Sequence, residues 1–522
     1  MNDTTTHPEA PRAVPGVNRL DPTVRNVTVV APPAAARAVP RVPVAVFVAL
    51  VCVGLAPRAV ALLAGRSLWI DEAMLALNLV SRTPRDLLAP LDWNQGAPVG
   101  FLLAVKGAIS LFGASEWALR LVPFLASCAG LVGFAWVARR LLPAGAAVLA
   151  LALFALSPHL VSYASECKQY ASDAAIAVGL FALALGLLEG KGGGRWLALA
   201  LGGAAAVWCS HPAAFVLGGI GTALALRAVV ARDRARFVAA ALTVGCWLAS
   251  FAACYWLCLR HLGGNSYLTG FWADHFLPST SFGGLTWLVD HLIALFTVPG
   301  GFGSSTVPLG GFAAVLALVG LRELARERWP VAVALALPVA FVLVASALHK
   351  YPFGGRLLLF LVPAAGLLVA RGAWALFDAG RAKNAFAAGA LLALLVGASA
   401  WQTLDTLRKP PRQEELNAVL TGVRAEVRPG DRVYVYYSAV PAFTFYTRDR
   451  ALPVRVALGT EHRGDPGGYR AELGQLRGRV WVIFSHPHAQ EETAIRTMLD
   501  ARGRCAREVK QPGAAAWLYV LE

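Results

Sequence analysis

Residues 43–78 have the sequence PVAVFVALVCVGLAPRAVALLAGRSLWIDEAMLALN, a membrane-length apolar run followed directly by the acidic pair Asp71 and Glu72. Only 15% of the 522 residues are charged and 57% are hydrophobic. A carboxylate at the centre of a bilayer costs roughly 2.5–3.5 kcal/mol, so an acidic residue in such a chain is expected to contact water, to pair with another group or to have a functional role. The pair therefore indicates either a site that faces the aqueous side or a solvated helix start, where acids favour the first turn.

Apolar runs of this kind recur along most of the chain. They lie between residues 43 and 401, and they predict a mostly α-helical, polytopic membrane protein. The net charge of +16 comes from basic residues scattered between the runs. Because these basic residues form no patch, we expect no nucleic-acid partner. We infer instead that they fix the membrane topology by the positive-inside rule. The eight cysteines have no paired spacing, so they predict neither a disulfide framework nor a metal site.

Loops rich in Lys and Arg alternate with loops that are poor in them. If the basic loops are cytoplasmic, the chain makes about 11 net crossings and contains up to 13 helices, with the N-terminus inside. This count requires a re-entrant or interfacial piece in residues 98–138 and in residues 285–321. The long loop 65–97 then lies outside, and residues 1–42, rich in Pro, Ala and Thr, are expected to form a disordered cytoplasmic tail.

The character of the chain changes at residues 402–522. Strand-like runs at 432–438, 479–485 and 515–521 and a helical pattern at 491–502 predict a small, soluble α/β domain. The charge pattern places it outside the cytoplasm. Residues 43–401 would then form the transmembrane catalytic domain, and the role of the C-terminal domain stays open.

Polar side chains gather in the loops that the charge pattern places outside. They are Asp71, Glu72 and Gln95 in the first loop, Glu166, Lys168, Tyr170 and Asp173 in the second, His211 in the third, Trp272 in the fourth, and Lys350 and Arg356 in the fifth. Each has an ordinary alternative, such as a helix cap, a local ion pair, an interfacial aromatic anchor or snorkelling to lipid. Together they suit a reaction between a lipid phosphate and a polar acceptor, because an acid can take a proton and cations can stabilise a departing phosphate.

The segments that carry these residues resemble a known family. The Asp-Glu pair is followed by a Pro98-led span, FGASEWALRLVP at 112–123, SYASECKQY at 162–170 and YPFGGR at 351–356. This order is similar to that of bacterial membrane glycosyltransferases related to dolichyl-phosphate-mannose protein mannosyltransferases and lipid A aminoarabinose transferases, within the GT-C superfamily. The resemblance covers about residues 43–371, and its most specific parts are the Asp-Glu pair and the Lys-Gln-Tyr-x-x-Asp segment.

The resemblance implies transfer of a sugar from a polyprenyl-phosphate donor to a lipid, glycan or protein acceptor, at the outer face of a bacterial cytoplasmic membrane. Asp71 would be the general base or would orient the acceptor, with Glu72 in support. Lys168 and Arg356, with Lys350, would hold the donor phosphate. The other candidates would contact the acceptor or the sugar, and these are Asp173, Tyr170, Glu166, Gln95, His211 and Trp272.

One departure from the family pattern limits what the resemblance implies. The protein-mannosylating relatives have a His-Pro-Pro-like start to the second span, whereas this chain has Gln95-Gly-Ala-Pro98. The sugar and the acceptor are therefore unassigned. No cofactor is assigned either, and a divalent metal is left open without a clear motif to support it.

A transporter or flippase for lipid-linked sugars is the competing hypothesis, because it would also need charges beside an apolar groove. Transporters usually bind their substrates near the bilayer midplane and have internal repeats with broken helices in matching halves. The sequence has no evident internal repeat, and its candidate charges fall on one face. Both features favour the enzyme.

Overall fold

The structure is a computed structural model that describes residues 1, 42–279, 281–303, 308–380, 385–408, 413–488 and 490–522. The tail expected over residues 1–42 lies almost entirely outside the described residues. The chain divides into Met1–Arg41 and Val42–Glu522. The second unit carries every element named below.

The helices before residue 409 follow the apolar runs of the sequence. They are α1 (Val44–Leu63), α2 (Ile70–Ser81), α3 (Val99–Phe112), α4 (Glu116–Leu141), α5 (Ala144–Ala155), α6 (Pro158–Tyr163), α7 (Tyr170–Leu188), α8 (Arg195–Cys209), α9 (Ala213–Val230), α10 (Arg234–Cys254), α11 (Ser266–Phe271), α12 (Ser281–Thr297), α13 (Gly310–Ala347), α14 (Val362–Gly380) and α15 (Ala385–Arg408).

Seven helical segments in the described ranges are long and apolar enough to cross a membrane. They are α1, α4, α7, α9, α13 and the segments Arg234–Leu259 and Gly355–Asp378, the last of which includes a 3-10 turn before α14. The prediction of a mostly helical, polytopic membrane protein is confirmed. The number of crossings stays a prediction.

Both regions expected to contain broken pieces consist of separate helices. Residues 98–138 form α3 and α4, and residues 285–321 fall on α12 and the first half of α13. α13 is interrupted at Arg328, whose φ of −148° and ψ of 60° are not helical. With 14 residues, α3 is about 21 Å long, whereas a hydrocarbon core is about 30 Å thick. This length fits a piece that does not cross alone.

The C-terminal part is a five-stranded sheet with helices. Its elements are α16 (Leu416–Glu426), β1 (Arg432–Val435), α17 (Val440–Thr447), β2 (Arg455–Leu458), α18 (Pro466–Leu473), β3 (Gly478–Ser485), α19 (Glu491–Asp500), β4 (Gly503–Gln511) and β5 (Ala514–Leu521). The strand order is β2-β1-β3-β5-β4. β1 runs parallel to β2 and β3, and β5 is antiparallel to β3 and β4. The predicted C-terminal α/β structure is confirmed, with two strands that the sequence did not predict. Its bounds as a domain, 402–522, stay a prediction.

The two unpredicted strands lie at the edges of the sheet. Every residue of β2 is exposed, and most of β4, which has the polar sequence GRCAREVKQ, is exposed too. β2 is short, with three apolar residues in RVAL, and β4 is mostly polar, so neither has the longer apolar run that marks a buried strand. The interior strands β1, β3 and β5 are largely buried, and they are the ones that the sequence predicted.

The C-terminal domain shares a hydrophobic core with the first loop. One buried cluster joins Leu75 and Leu79 of α2 to Leu420 of α16, Phe443 of α17 and Trp481 of β3. Helical periodicity alone favours a different apolar face of α2, made of Ile70, Met74 and Leu77, and this face is only half-buried. The difference arises because a partner distant in sequence covers the other face, which periodicity cannot reveal.

Candidate active site

Asp71 lies in the first turn of α2 and is paired with Arg356. Nη2 of Arg356 is 2.5 Å from Oδ2 of Asp71. The two side chains keep about a fifth of their surface exposed, so the pair remains open to a small ligand. The first and fifth of the predicted outer loops therefore meet at a carboxylate and a guanidinium.

Three aromatic rings surround the Arg356 guanidinium. Its Cζ lies 5.5 Å from the ring centre of Trp69, 5.6 Å from that of Tyr170 and 5.9 Å from that of Trp272. Cations at such distances are attracted to the ring faces. The rings hold the guanidinium in place and exclude water from it, which strengthens its attraction for anions.

Lys168 supplies a second positive charge beside Asp71. It is buried, and its Nζ donates a 2.6 Å hydrogen bond to Oε1 of Gln95. Burial alone would raise the pKa of Asp71, but the charges of Lys168 and Arg356 outweigh it and hold that pKa below its ordinary value. Asp71 is therefore ionised at neutral pH.

Glu72 is the centre of a separate, fully buried ion pair. Arg120 of α4 donates from Nε to Oε1 at 2.9 Å and from Nη2 to Oε2 at 2.7 Å. The backbone N–H of Cys167 donates to the same Oε1 at 2.7 Å. Arg120 also donates to the carbonyls of Arg66 and Ser67. This network ties α2, α4 and the loops before α2 and α7 together, and it occupies both oxygens of Glu72.

Glu166 is half-buried close to this network, with its Oε2 atom buried. Its Oε2 is without a hydrogen-bond partner in the described part of the chain. Burial first, and then the negative charge of Glu72, raise the pKa of Glu166 to about 7. The carboxyl group of Glu166 therefore has a pKa close to neutral pH, and it is near enough to Arg356 for their charges to interact.

We expect the stability of the protein to respond to the charge of Glu166. The pKa of Glu166 in the folded protein, about 7, lies above the ordinary value of 4.5, so folding favours the neutral carboxyl group. The free energy of unfolding is therefore highest below pH 4.5, and it falls as the pH rises from 4.5 through 7. Relative to Glu166→Gln, the wild type should lose up to roughly 3 kcal/mol between these limits. Melting temperatures of both proteins across this range test the expectation, and parallel curves would contradict it.

The remaining candidates occupy different surroundings. Asp173 is buried on α7, and its Oδ1 has no hydrogen-bond partner among the described residues. Burial lowers the pKa of His211 to about 4, so its ring is neutral at pH 7. Lys350 is exposed, and no hydrogen bond or ion pair joins it to Asp71 or Arg356 in the described ranges. Within the same ranges, no three His, Cys, Asp or Glu side chains are arranged to hold a metal ion.

Several residues of this region were not predicted from the sequence. Arg120 lies within the quoted segment 112–123, where a lone arginine in an apolar run was itself a signal of a buried partner. Trp69 lies two residues before Asp71. Glu414 and His486 come from the C-terminal part, and His486 lies close enough to Asp71 for their charges to interact. Nothing in their local sequence linked these two residues to α2.

Solved structures share the fold of this chain. ArnT from Cupriavidus metallidurans in the apo state aligns with a TM-score of 0.54 and 15% identity, over 91% of this chain and 97% of that one. The same protein bound to undecaprenyl phosphate aligns with the same values. The archaeal oligosaccharyltransferase AglB from Archaeoglobus fulgidus, in complex with an inhibitory peptide and a dolichol-phosphate, aligns with a TM-score of 0.51 and 13% identity, over 91% of this chain and 74% of that one.

No protein-family model and no curated protein matches the sequence. The likeness to the solved structures extends over nine-tenths of the chain and includes proteins of the superfamily that the sequence resembles. At these identities it establishes the fold. The chain therefore shares the fold of ArnT and AglB.

Proposed function

We propose that this protein is a membrane glycosyltransferase that moves a sugar from a polyprenyl-phosphate donor to a lipid, glycan or protein acceptor. The observation that carries the proposal is the partly open Asp71–Arg356 pair with Lys168 beside it. A base and two cations at one point are what sugar transfer from a phosphate requires. The fold shared with ArnT, a structure of which holds undecaprenyl phosphate, supports the donor class.

The chemistry needs one bond to form and one to break. An acceptor oxygen attacks the anomeric carbon of the donor while the bond from that carbon to the phosphate oxygen breaks, and the bond electrons leave with polyprenyl phosphate. Asp71 takes the proton of the acceptor hydroxyl. Arg356 and Lys168 stabilise the negative charge that develops on the leaving phosphate. Attack opposite the leaving group inverts the anomeric centre.

Arg356 links donor binding to activation of the base. In the structure its guanidinium faces Asp71, and guanidinium groups bind phosphate well. A donor phosphate would compete for Arg356 and weaken its pairing with Asp71. Because Arg356 contributes to the lowered pKa of Asp71, that pKa should rise when the donor is bound, which makes Asp71 a stronger base at the moment it is needed.

The other polar groups fall into two roles under this proposal. Glu72 fixes the start of α2 through Arg120 and acts as a positioning residue, because both of its oxygens are taken. Asp173 and Glu166 each keep a buried oxygen without a partner in the described chain, so both can accept hydrogen bonds from sugar or acceptor hydroxyls. Tyr170 and Trp272 border the same space through their contacts with Arg356.

An apolar groove offers a place for the lipid chain of the donor. Its volume is about 650 Å³, and it runs between α4, α7 and α8, where it is lined by Trp136, Ile176, Gly179, Leu183, Gly202 and Cys209 among others. Asp173 lies one turn before Ile176 on α7, so the groove leads away from the polar candidates. A polyprenyl chain could lie here with its phosphate at Arg356 and Lys168.

We expect Gly179→Trp to weaken use of long-chain donors. A Cβ at Gly179 would meet no atom within 4 Å and Gly179 lines the groove, so a tryptophan there starts in open space and would extend into the groove. The KM for a long polyprenyl-phosphate sugar should rise about tenfold, which corresponds to the loss of roughly 1.4 kcal/mol of apolar contact. A donor with a short lipid chain should be affected less than twofold.

Gly245 on α10 provides the matched control. A Cβ at Gly245 would also meet no atom within 4 Å, and Gly245 is not among the residues that line the groove. Gly245→Trp should therefore leave KM unchanged for both donors. Equal effects of the two tryptophans, or none at Gly179, would remove the groove from the donor site.

Transfer is tested by incubating the purified protein with a panel of polyprenyl-phosphate sugars and membrane-lipid, glycan and peptide acceptors. Loss of a donor with release of polyprenyl phosphate supports the proposal. The flippase alternative predicts a different result in liposomes, where the donor would change leaflets and remain intact. Movement of an intact donor, without release of polyprenyl phosphate in any combination, would favour that alternative.

A further inference from the structure

The backbone directly before α2 is held by the C-terminal domain. The N–H of Ile70 donates to Oε2 of Glu414 at 2.9 Å, and the N–H of Leu68 donates to the hydroxyl of Tyr446 at 2.7 Å. Ser67 donates to Oε2 of Glu415 from its N–H at 3.4 Å and from its hydroxyl at 3.2 Å. Three of the four backbone N–H groups of residues 67–70 therefore donate hydrogen bonds to side chains that are distant in sequence.

This arrangement replaces an ordinary helix cap. The first N–H groups of a helix have no partners within the helix, and the residue before α2 is Trp69, whose side chain provides no cap. A carboxylate placed there also interacts favourably with the positive end of the helix dipole. Glu414 thus supplies from the C-terminal domain what the local sequence around Asp71 lacks.

Glu414 is itself held firmly. It is only 4% exposed, and it accepts from the hydroxyl of Ser485 at 3.3 Å and is hydrogen-bonded to Nδ1 of His486 at 2.6 Å. His486 adopts a φ of 52°, a conformation that costs energy for a residue other than glycine and persists only where its surroundings fix it. The backbone N–H of His486 donates to the carbonyl of Gly513, at the turn before β5. The carboxylate is therefore anchored to the sheet.

We propose that Glu414, held by His486, is a positioning residue of the C-terminal domain that sets the place of Asp71, and that Glu415 assists it. Asp71 directly follows the residue whose N–H Glu414 accepts. A small displacement of a catalytic group can cost about 100-fold in rate, so this contact would make turnover depend on the C-terminal domain. The inference rests on the proposed role of Asp71 in catalysis.

The test combines amide hydrogen exchange with kinetics on the full chain. In Glu414→Ala, peptides that cover residues 67–72 should exchange about tenfold faster than in the wild type, because the N–H of Ile70 loses its partner. kcat should fall 10–100-fold while the KM for the donor stays within about threefold. Glu414→Gln keeps an oxygen for Ile70 and should recover most of the turnover.

Glu426 provides the matched control. It lies on α16 of the same domain and forms an exposed ion pair with Arg507, and no hydrogen bond or ion pair joins it to α2 among the described residues. Glu426→Ala should change neither exchange at 67–72 nor kcat. Unchanged exchange in Glu414→Ala, or faster exchange with full kcat, would overturn the inference.

Failure of the proposed function would look different. If the wild type releases no polyprenyl phosphate from any donor, the transferase proposal fails, whereas the exchange data still decide whether Glu414 fixes the segment before α2. If Glu414→Ala does not fold, His486→Gln gives the decision, because it changes the group that holds Glu414. Wild-type exchange at 67–72 together with wild-type turnover in His486→Gln would then overturn the inference.

Discussion

Asp71→Asn is expected to lower kcat about 1000-fold while leaving the KM for the donor within about threefold of the wild type. The amide keeps the shape of the carboxylate but cannot take a proton from the acceptor. It also removes the partner of Arg356, so that guanidinium becomes freer to hold the donor phosphate. Initial rates of polyprenyl phosphate release, at several donor concentrations, measure both quantities.

Asp92 is the matched control for this substitution. It lies in the same loop, and its side chain is 68% exposed and paired with Arg82. Asp92→Asn should retain wild-type rates. If Asp71→Asn retains more than about a tenth of the wild-type rate, Asp71 is not the base.

Glu72→Gln is expected to destabilise the protein by about 3–5 kcal/mol, because it leaves the Arg120 charge buried without its partner. The exposed pair of Glu426 and Arg507 offers a comparison, and Glu426→Gln should cost less than about 1 kcal/mol. Thermal unfolding in detergent measures both changes. The double variant Glu72→Leu with Arg120→Leu should regain most of the lost stability, since it removes both charges together.

The same experiment separates the two roles of the acidic pair. A folded Glu72→Gln protein with a wild-type melting temperature and no turnover would place Glu72 in the chemistry. The contacts favour the other outcome, in which stability falls first and activity falls with it. The adjacent acids would then have different tasks, set by the partner that each one has.

Much of the fold could be predicted from the sequence because lipid leaves few choices. Long apolar runs in a membrane must be helical to satisfy their backbone groups, so the runs at 43–64 and 172–189 correspond to α1 and α7. The central strands β3 and β5 were equally clear, since buried strands need apolar residues on both faces. Edge strands carry no such signal, and β2 and β4 were missed for that reason.

The site could be predicted only in part. Lone charges in an apolar chain are costly, so Asp71, Lys168 and Arg356 were visible as candidates, and the structure brings them together. Their partners were harder to find. Arg120 binds Glu72, and Glu414 caps α2. Both contacts join segments that are far apart in the chain, and a single sequence does not reveal which distant segments meet.

The claim that Arg356 leaves Asp71 to hold the donor phosphate can be measured without knowing the sugar or the acceptor. Undecaprenyl phosphate is titrated into the wild type, Arg356→Met and Asp71→Asn, and the three dissociation constants are compared. We predict that Arg356→Met binds at least about tenfold more weakly than the wild type and that Asp71→Asn binds at least as tightly. Wild-type affinity in Arg356→Met would contradict the account.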